Sequence, residues 1–422
     1  MITVLKTTWP LLLGILLLMV GNGMQGTLLG IRGDIEGIPT FEMSVVMAGY
    51  YGGFLLGSLT VPGMIKTVGH VRVFAALGSL ISAILIVFAV WPNWMFWTVL
   101  RFLIGFCFCG VYVTAESWLN AGSTNETRGQ ALSVYMIMQM LGIVSAQFLL
   151  NVSDPAGFLL FVIPSVLVSL AFTPILLNAQ PAPEFDTIQR MSFRELYHAS
   201  PLGCVGIFLM GGVFAALAGM SSVWAAAVGM SVAEISLFVA GIYAGGLVMQ
   251  YPVGWISDRY DRRKLVLLLG GFGVLTVVWV VVAQPGVAGL VVAGLLMGGM
   301  ANPIYALLLA YTNDYLDQSD MAAASAGLLF IYGVGSMGGP LITGWLMNVI
   351  GPDGYWVHMG VLLALMVIYA SWRMTRRRPL TPDEQGSFAV ITPQATPFAV
   401  EAALDEAQSS DGDSGSDGQG GK

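Results

Sequence analysis

The chain has 422 residues, of which 56% are hydrophobic and only 10% charged, and its mean hydropathy is +0.78. A soluble globular chain of that length could hardly cover so much apolar surface, so the composition excludes one and implies repeated bilayer crossings. The net charge of -7 comes from acids gathered in the C-terminal tail and in short loops, and it implies no nucleic-acid partner.

In chain order, the first apolar run covers residues 9–31. It is too long for a secretory signal and lacks the small-residue cleavage site of one, so it reads as the first span. A wet corner carrying Arg32, Asp34, Glu36 and Glu42 precedes a second run at 43–61. Further runs at 73–91, 94–119, 131–150 and 158–177 bring the number of spans to about six. The chain then breaks at 178–201, where Pro181 and Pro183 open a linker and Ser-Phe-Arg-Glu-Leu-Tyr predicts a short surface helix. The second half offers runs at 204–228, 238–256, 265–283, 288–312, 322–350 and 357–372, so the total is near twelve. The implied organisation is a six-helix bundle over 1–178, a cytoplasmic linker over 179–201, a second bundle over 202–373 and a disordered tail over 374–422.

Between two of these runs lies Gly254 to Lys264, GWISDRYDRRK. Its six charges, Asp258, Arg259, Asp261, Arg262, Arg263 and Lys264, must sit in water, which marks a short loop at a membrane face. Lys66, Arg72, Arg128, Arg190, Arg194, Arg373 and Arg376 fall on the same side if spans alternate, while only Arg32 and Arg101 approach the other. By the positive-inside rule that side is cytoplasmic, and both termini lie there. A multi-pass protein of the cytoplasmic (inner) membrane is expected. The interleaved acids exceed what orientation requires and read as partners for neighbouring helix ends.

The two halves repeat each other. A shift of about 192 residues places Tyr51 on Tyr243 and Gly53 on Gly245; one more residue places Gly105 on Gly298, Tyr112 on Tyr305 and Gly142 on Gly335. Duplicated halves with a site at their interface are the build of many secondary transporters.

The loop pattern G-x-I-S-D-R-x-D-R-R-K, between spans and after a central linker, resembles the loop between the second and third helices of each half of the major facilitator superfamily. Ala115-Glu116-Ser117-Trp118-Leu119-Asn120, with Arg128-Gly129-Gln130-Ala131-Leu132 after the polar loop, resembles the bacterial YcaD-like branch. The resemblance implies an all-α membrane protein of twelve transmembrane helices in two pseudo-symmetric bundles, and a secondary active transporter. It covers nearly the whole chain up to Arg378. The first-half loop departs from the pattern, with Lys66 where the family has Asp and Pro62 where it has Gly, so a charge-relay role is better supported for Asp258. Arg101 and Gly105 match the family's R-x-x-x-G pattern, linked in some members to proton movement.

Polar side chains inside a membrane are costly and usually face the bundle. At about 100° per residue, Arg101, Gly105, Phe108, Tyr112 and Glu116 share one face of the fourth span. Arg101 and Glu116 are separated by about 22 Å of helix rise and cannot pair with each other. Candidate partners are Asp34, Glu36 or a substrate anion for Arg101, and Arg128 or Arg72 for Glu116; structural ion pairing at the two ends is the competing reading. Asn22, Gln25, Gln139, Tyr243, Gln250, Asn302 and Tyr305 complete the expected translocation pathway, although buried amides also join helices without binding anything. Asp258, Arg259, Arg262 and Arg263 are expected to form a cytoplasmic lock, with Asp314 as its acidic partner.

Cys107, Cys109 and Cys204 lie inside apolar runs and read as small core residues, and no histidine stands near an acidic cluster, so no metal or cofactor is expected. No catalytic triad or nucleotide-binding glycine loop is present, which argues against an enzyme or an ATP-driven pump. The expected partners are a small-molecule substrate, a proton or other coupling ion and the lipid bilayer, with a monomer sufficient for function. A sensor on a transporter scaffold and a drug or metabolite exporter are the alternatives.

Overall fold

The computed structural model describes residues 2–121, 128–176 and 191–376, together with Arg378, Gly386, Phe388, Ile391, Ala395, Thr396, Ala399, Val400 and Ala403. The described chain is helical: α1 Ile2–Ile35, α2 Thr40–Val68, α3 His70–Val87, α4 Trp94–Ala121, α5 Arg128–Leu149 and α6 Leu159–Leu176 form the first half. After α7, Phe193–Ala199, the second half comprises α8 Pro201–Ala227, α9 Val232–Ser257, α10 Arg262–Ala283, α11 Val287–Asn313, α12 Gln318–Ile350 and α13 Gly354–Met374. Eleven of these helices are long and apolar enough to cross a membrane, and α6 contributes a shorter apolar stretch, Leu159–Pro174. The protein is a multi-pass membrane protein, because only structures that satisfy their own backbone hydrogen bonds can occupy hydrocarbon.

Local signals fix the helix starts. Ser192 with Glu195 and Ser231 with Glu234 form reciprocal capping boxes, and the Asp261 carboxylate accepts from the Arg263 N–H at the start of α10. At Gly69 the backbone adopts φ 87°, which lets α2 turn directly into α3. The linker helix α7 is present; residues 179–190 of the linker, with 177 and 178 before them, lie outside the described segments.

The internal repeat has a structural cause. α2 packs along α4 and α9 along α11, at equivalent places in the two halves. A Cβ on Gly53 would strike the Phe102 carbonyl, and one on Gly245 the Leu295 carbonyl. Likewise Gly105 abuts the Tyr50 carbonyl and Gly298 the Ile242 carbonyl. Glycine recurs at the shifted positions because these crossings bring backbone against backbone.

The halves meet through α2 with α12, α5 with α9, and α1 with the end of α8. We call the membrane face where α13 ends the tail side and the opposite face the far side. On the far side the halves are pressed together: Asn151 Nδ2 donates to Ser236 Oγ at 3.3 Å, Gly344 abuts Ser44, and Gly30 abuts Ser222.

The described positions of the tail from Ile391 onward are buried. Ile391, Ala395, Thr396, Ala399, Val400 and Ala403 are all at most 5% exposed, and a helical turn starts at Thr396, whose carbonyl accepts from the Ala399 and Val400 N–H groups. The sequence at 388–404, FAVITPQATPFAVEAAL, is apolar enough to bury. Residues 404–422 lie outside the described segments.

Candidate functional site

Between the halves lies a cavity enclosing about 970 Å³ of empty space, part of it open to solvent. The first half lines it with Asn22, Tyr50, Tyr51, Arg101 and Gln139, the second with Phe214, Tyr243, Asn302 and Tyr332. The helix carrying Phe214 widens into a π turn at Ala216–Met220, which places Leu217 and Ala218 on the cavity wall. Among the described residues no carboxylate lines the cavity, and Arg101 is the one formally charged side chain on its wall.

Arg101 is 4% exposed. Its Nη1 donates to Gln25 Oε1 at 2.6 Å, Nη2 lies 3.4 Å from Met47 Sδ, and the guanidinium carbon sits 5.0 Å from the Tyr50 ring centroid. Neither Asp34 nor Glu36 reaches it; Glu36 pairs instead with Arg32 at 2.6 Å. The Arg101 Nε and the Gln25 Nε2 are buried without a partner among the described residues. Asn22 Nδ2 donates to the Tyr112 hydroxyl at 3.1 Å and to the Tyr50 hydroxyl at 3.5 Å, so three helices share one polar network.

Glu116 sits further along α4 toward the tail side, outside the cavity wall. It is 2% exposed and accepts from the Tyr135 hydroxyl at 2.9 Å. Its other oxygen accepts from the Thr396 N–H at 2.7 Å and the Thr396 hydroxyl at 2.5 Å. Arg72 is not its partner, and the Arg128 side chain lies outside the described set. Among the described residues Glu116 pairs with no cation and Arg101 with no carboxylate; a Glu116–Arg128 pair lies outside what the described side chains cover.

The other expected residues divide. Asn22, Gln139, Tyr243 and Asn302 line the cavity; Gln25 and Tyr112 stand directly behind the wall, holding Arg101 and Asn22. Tyr305 does not reach the cavity and packs edge-on against Tyr332, ring centroids 5.5 Å apart. Gln250 is occupied by the tail, donating to the Ile391 carbonyl at 3.4 Å. Sequence reasoning missed Tyr50, Tyr332 and Phe214, which carry no signal apart from being aromatic. Tyr51 was findable, since it is the repeat partner of Tyr243.

At the tail-side loop, Arg262 Nη1 meets Asp314 Oδ1 at 2.6 Å, with the two side chains 2% and 3% exposed. Asp258 lies 3.9 Å from Arg262 and accepts from the Phe388 N–H at 2.8 Å. Arg259 turns away onto the Trp255 ring, 4.1 Å from its centroid, and Arg263 pairs with Asp261 at 2.7 Å. Burial pushes the Asp314 carboxyl above the usual range, opposed by Arg262 and by the Gly386 N–H that also donates to it. At Asp261 desolvation is the largest single influence and pushes the carboxyl up, but the hydrogen bonds and charge of Arg263, with Lys264, together outweigh it and hold the carboxyl below that range.

Comparison with known proteins agrees with this architecture. Residues 202–404 match the family model described as Major Facilitator Superfamily. An uncharacterized MFS-type transporter of Enterobacter sp. (strain 638) is 28% identical over 343 residues, covering 80% of this chain and 88% of the relative. The uncharacterized MFS-type transporter YcaD of Salmonella arizonae is 28% identical over 345 residues with the same coverage. A crystal structure of the nucleoside transporter NupG superimposes with a TM-score of 0.72 at 13% identity, covering 88% of this chain and 99% of that one, a likeness of fold alone.

Proposed function

We propose that this chain is a secondary active transporter that moves a small solute by alternating access; the family-model match over its second half, its 28% identity to MFS-type transporters and its fold support the reading. One observation carries the reading: a cavity between two pseudo-symmetric halves, largely apolar but with Arg101 and amide and tyrosine side chains on its wall, lined from both halves and closed on the far side by contacts between them. Rocking the halves about that cavity breaks the far-side contacts and closes the tail side, which is the requirement for carrying a solute across.

In this reading the protein sits in the bacterial inner membrane with the tail side cytoplasmic, so the structure is the inward-facing state of a monomeric carrier. The positive loop at 259–264 and Arg373 and Arg376 support that orientation. The bundles over 1–178 and 202–373 are the rocking units, the linker joins them, and of the five expected lock residues Asp258, Arg262 and Asp314 form the tail-side lock of the second, while Arg259 and Arg263 pair elsewhere. Asn22, Gln25, Arg101, Tyr112, Gln139, Tyr243 and Asn302 serve the pathway; Gln250 and Tyr305 support it from behind. Coupling to protons is assigned to Glu116, a buried carboxylate with hydroxyl and amide donors but no cationic partner among the described residues.

The test uses protein in vesicles with a pH-reporting dye inside and a panel of metabolites outside. A solute that is carried is expected to move protons with it and shift the luminal pH. Glu116→Gln is expected to lose that pH shift while solute exchange at equal pH persists. An unchanged pH response in Glu116→Gln eliminates the assignment, and a panel that produces no flux in any direction with correctly inserted protein contradicts the carrier reading.

A further inference from the structure

We infer that the central cavity takes a small organic monoanion, a carboxylate on an apolar or aromatic body, with Arg101 as its anchor; the inference rests on the carrier reading above. An arginine stays protonated under all working conditions, so burial cannot neutralise it. Holding that charge buried within a membrane-spanning bundle is costly unless a counter-ion or a dense set of acceptors meets it. Arg101 has one amide acceptor, a thioether and a ring face, with its Nε unpartnered and no carboxylate among the described residues on the cavity wall. The protein supplies the cation and leaves its anion to the cargo.

The surroundings define the rest of the ligand. A guanidinium accepts a carboxylate in a two-point fork, and the second orphan donor, Gln25 Nε2, lies beside it. One positive charge balances one negative charge, so a dianion would bring an uncompensated charge into the bilayer. Tyr50, Tyr51, Tyr243, Tyr332 and Phe214 offer ring faces for an apolar body, while Asn22 and Asn302 offer amides from opposite halves.

The probes are 3-phenylpropionate, its amide, phenylpropylamine and phenylsuccinate, with a wider set of aliphatic and aromatic monocarboxylates, measured as binding to detergent-purified full-length protein by calorimetry. Monocarboxylates are expected to bind, with the amide, amine and dianion at least tenfold weaker. Arg101→Gln is expected to weaken the acid by about 30-fold or more while leaving the melting temperature of the empty protein unchanged or raised, since a buried unpaired charge has gone. Binding of the amide as tight as that of the acid, an Arg101→Gln variant that binds the acid normally, or silence from every monocarboxylate each overturns the anion site. Acid binding without vesicle flux keeps the site and contradicts the carrier; flux of neutral solutes without acid binding does the reverse.

A separate observation carries a second inference: the geometry points to the C-terminal tail as a wedge that holds the tail side apart. Gly386 donates to Asp314 and Phe388 to Asp258, both in the second half, and Phe388 packs against Gly254. The chain then passes Gln250 on α9 at Ile391 and reaches Glu116 on α4 of the first half at Thr396, where it is fully buried. Ile391, buried and bonded to the second half, and Thr396, buried and bonded to the first, must leave before the halves can close on that side. The tail thereby favours the state in which the far side is shut.

Thiol labelling reads this directly, because Cys107, Cys109 and Cys204 are buried. Thr396→Cys in the full chain is expected to label slowly, and at least tenfold faster once Glu116→Ala removes its acceptor. Ser222→Cys, at the closed far-side contact, is expected to become more reactive when the chain is truncated after Arg378. Fast labelling of Thr396→Cys irrespective of Glu116, or Ser222→Cys reactivity that the truncation leaves unchanged or lowers, overturns the wedge.

Discussion

Asp314→Ala is expected to destabilise the folded protein by about 3–5 kcal/mol, because it strands the Arg262 guanidinium at 2% exposure without its counter-ion. The size follows from asymmetry. An intact buried pair roughly balances desolvation against attraction, so its net contribution is small, whereas one partner alone bears the desolvation in full. Asp258, at 3.9 Å and 42% exposed, is screened by solvent and replaces only part of the lost attraction. Replacing both partners, Arg262→Met with Asp314→Leu, is therefore expected to recover most of the stability. Thermal unfolding in detergent separates the cases. A single variant as stable as the parent would show that the pair contributes nothing to the second half, and a double variant as damaged as the single would show that its shape, not its charge, matters. In transport, the double variant also isolates the lock, since it restores packing without restoring the charges that the proposed gating uses.

Gly105→Leu is the second large effect, expected to abolish recovery of monodisperse protein. The Cβ alone would overlap the Tyr50 carbonyl, which is backbone and cannot rotate away. α2 and α4 would have to separate along their main contact, carrying Tyr50 and Arg101 out of register in the cavity. Gly298→Leu is expected to fail in the same way through the Ile242 carbonyl, whereas Gly271→Leu, with open space around the added atoms, is expected to behave as the parent. Size-exclusion profiles of the three variants check this; a well-behaved Gly105→Leu would mean that the helix crossing is looser than described.

Much of the fold was legible because a bilayer leaves few options. Apolar runs of adequate length must be helices, loop charges mark membrane faces, and glycines at matching positions record the duplicated crossings. The polar face of α4 was legible for the same reason: Arg101 and Glu116 stand out in an apolar helix and their spacing follows from helix geometry. Their partners were not. Gln25 comes from α1 and Thr396 from the tail 280 residues away, and no local pattern encodes such contacts. Charge complementarity favoured Asp34, Glu36 or Arg72 as partners, but those residues stay near the membrane faces, where water solvates them at less cost than burial. Tyr305 illustrates the opposite error: the repeat places it opposite Tyr112, yet neither equivalent lines the cavity, because both sit one layer behind it.

The central claim, that two halves rock about a shared cavity, is tested most directly by the distance between Asn151 and Ser236 on the far side. Spin labels on Asn151→Cys and Ser236→Cys, read by pulsed electron resonance in lipid vesicles, should give a short distance as the main population. A longer second population should grow when the tail is removed after Arg378 or when a transported monocarboxylate and a pH gradient are supplied. One short distance that none of these conditions alters would mean that the far side never opens, and that the molecule is not a carrier.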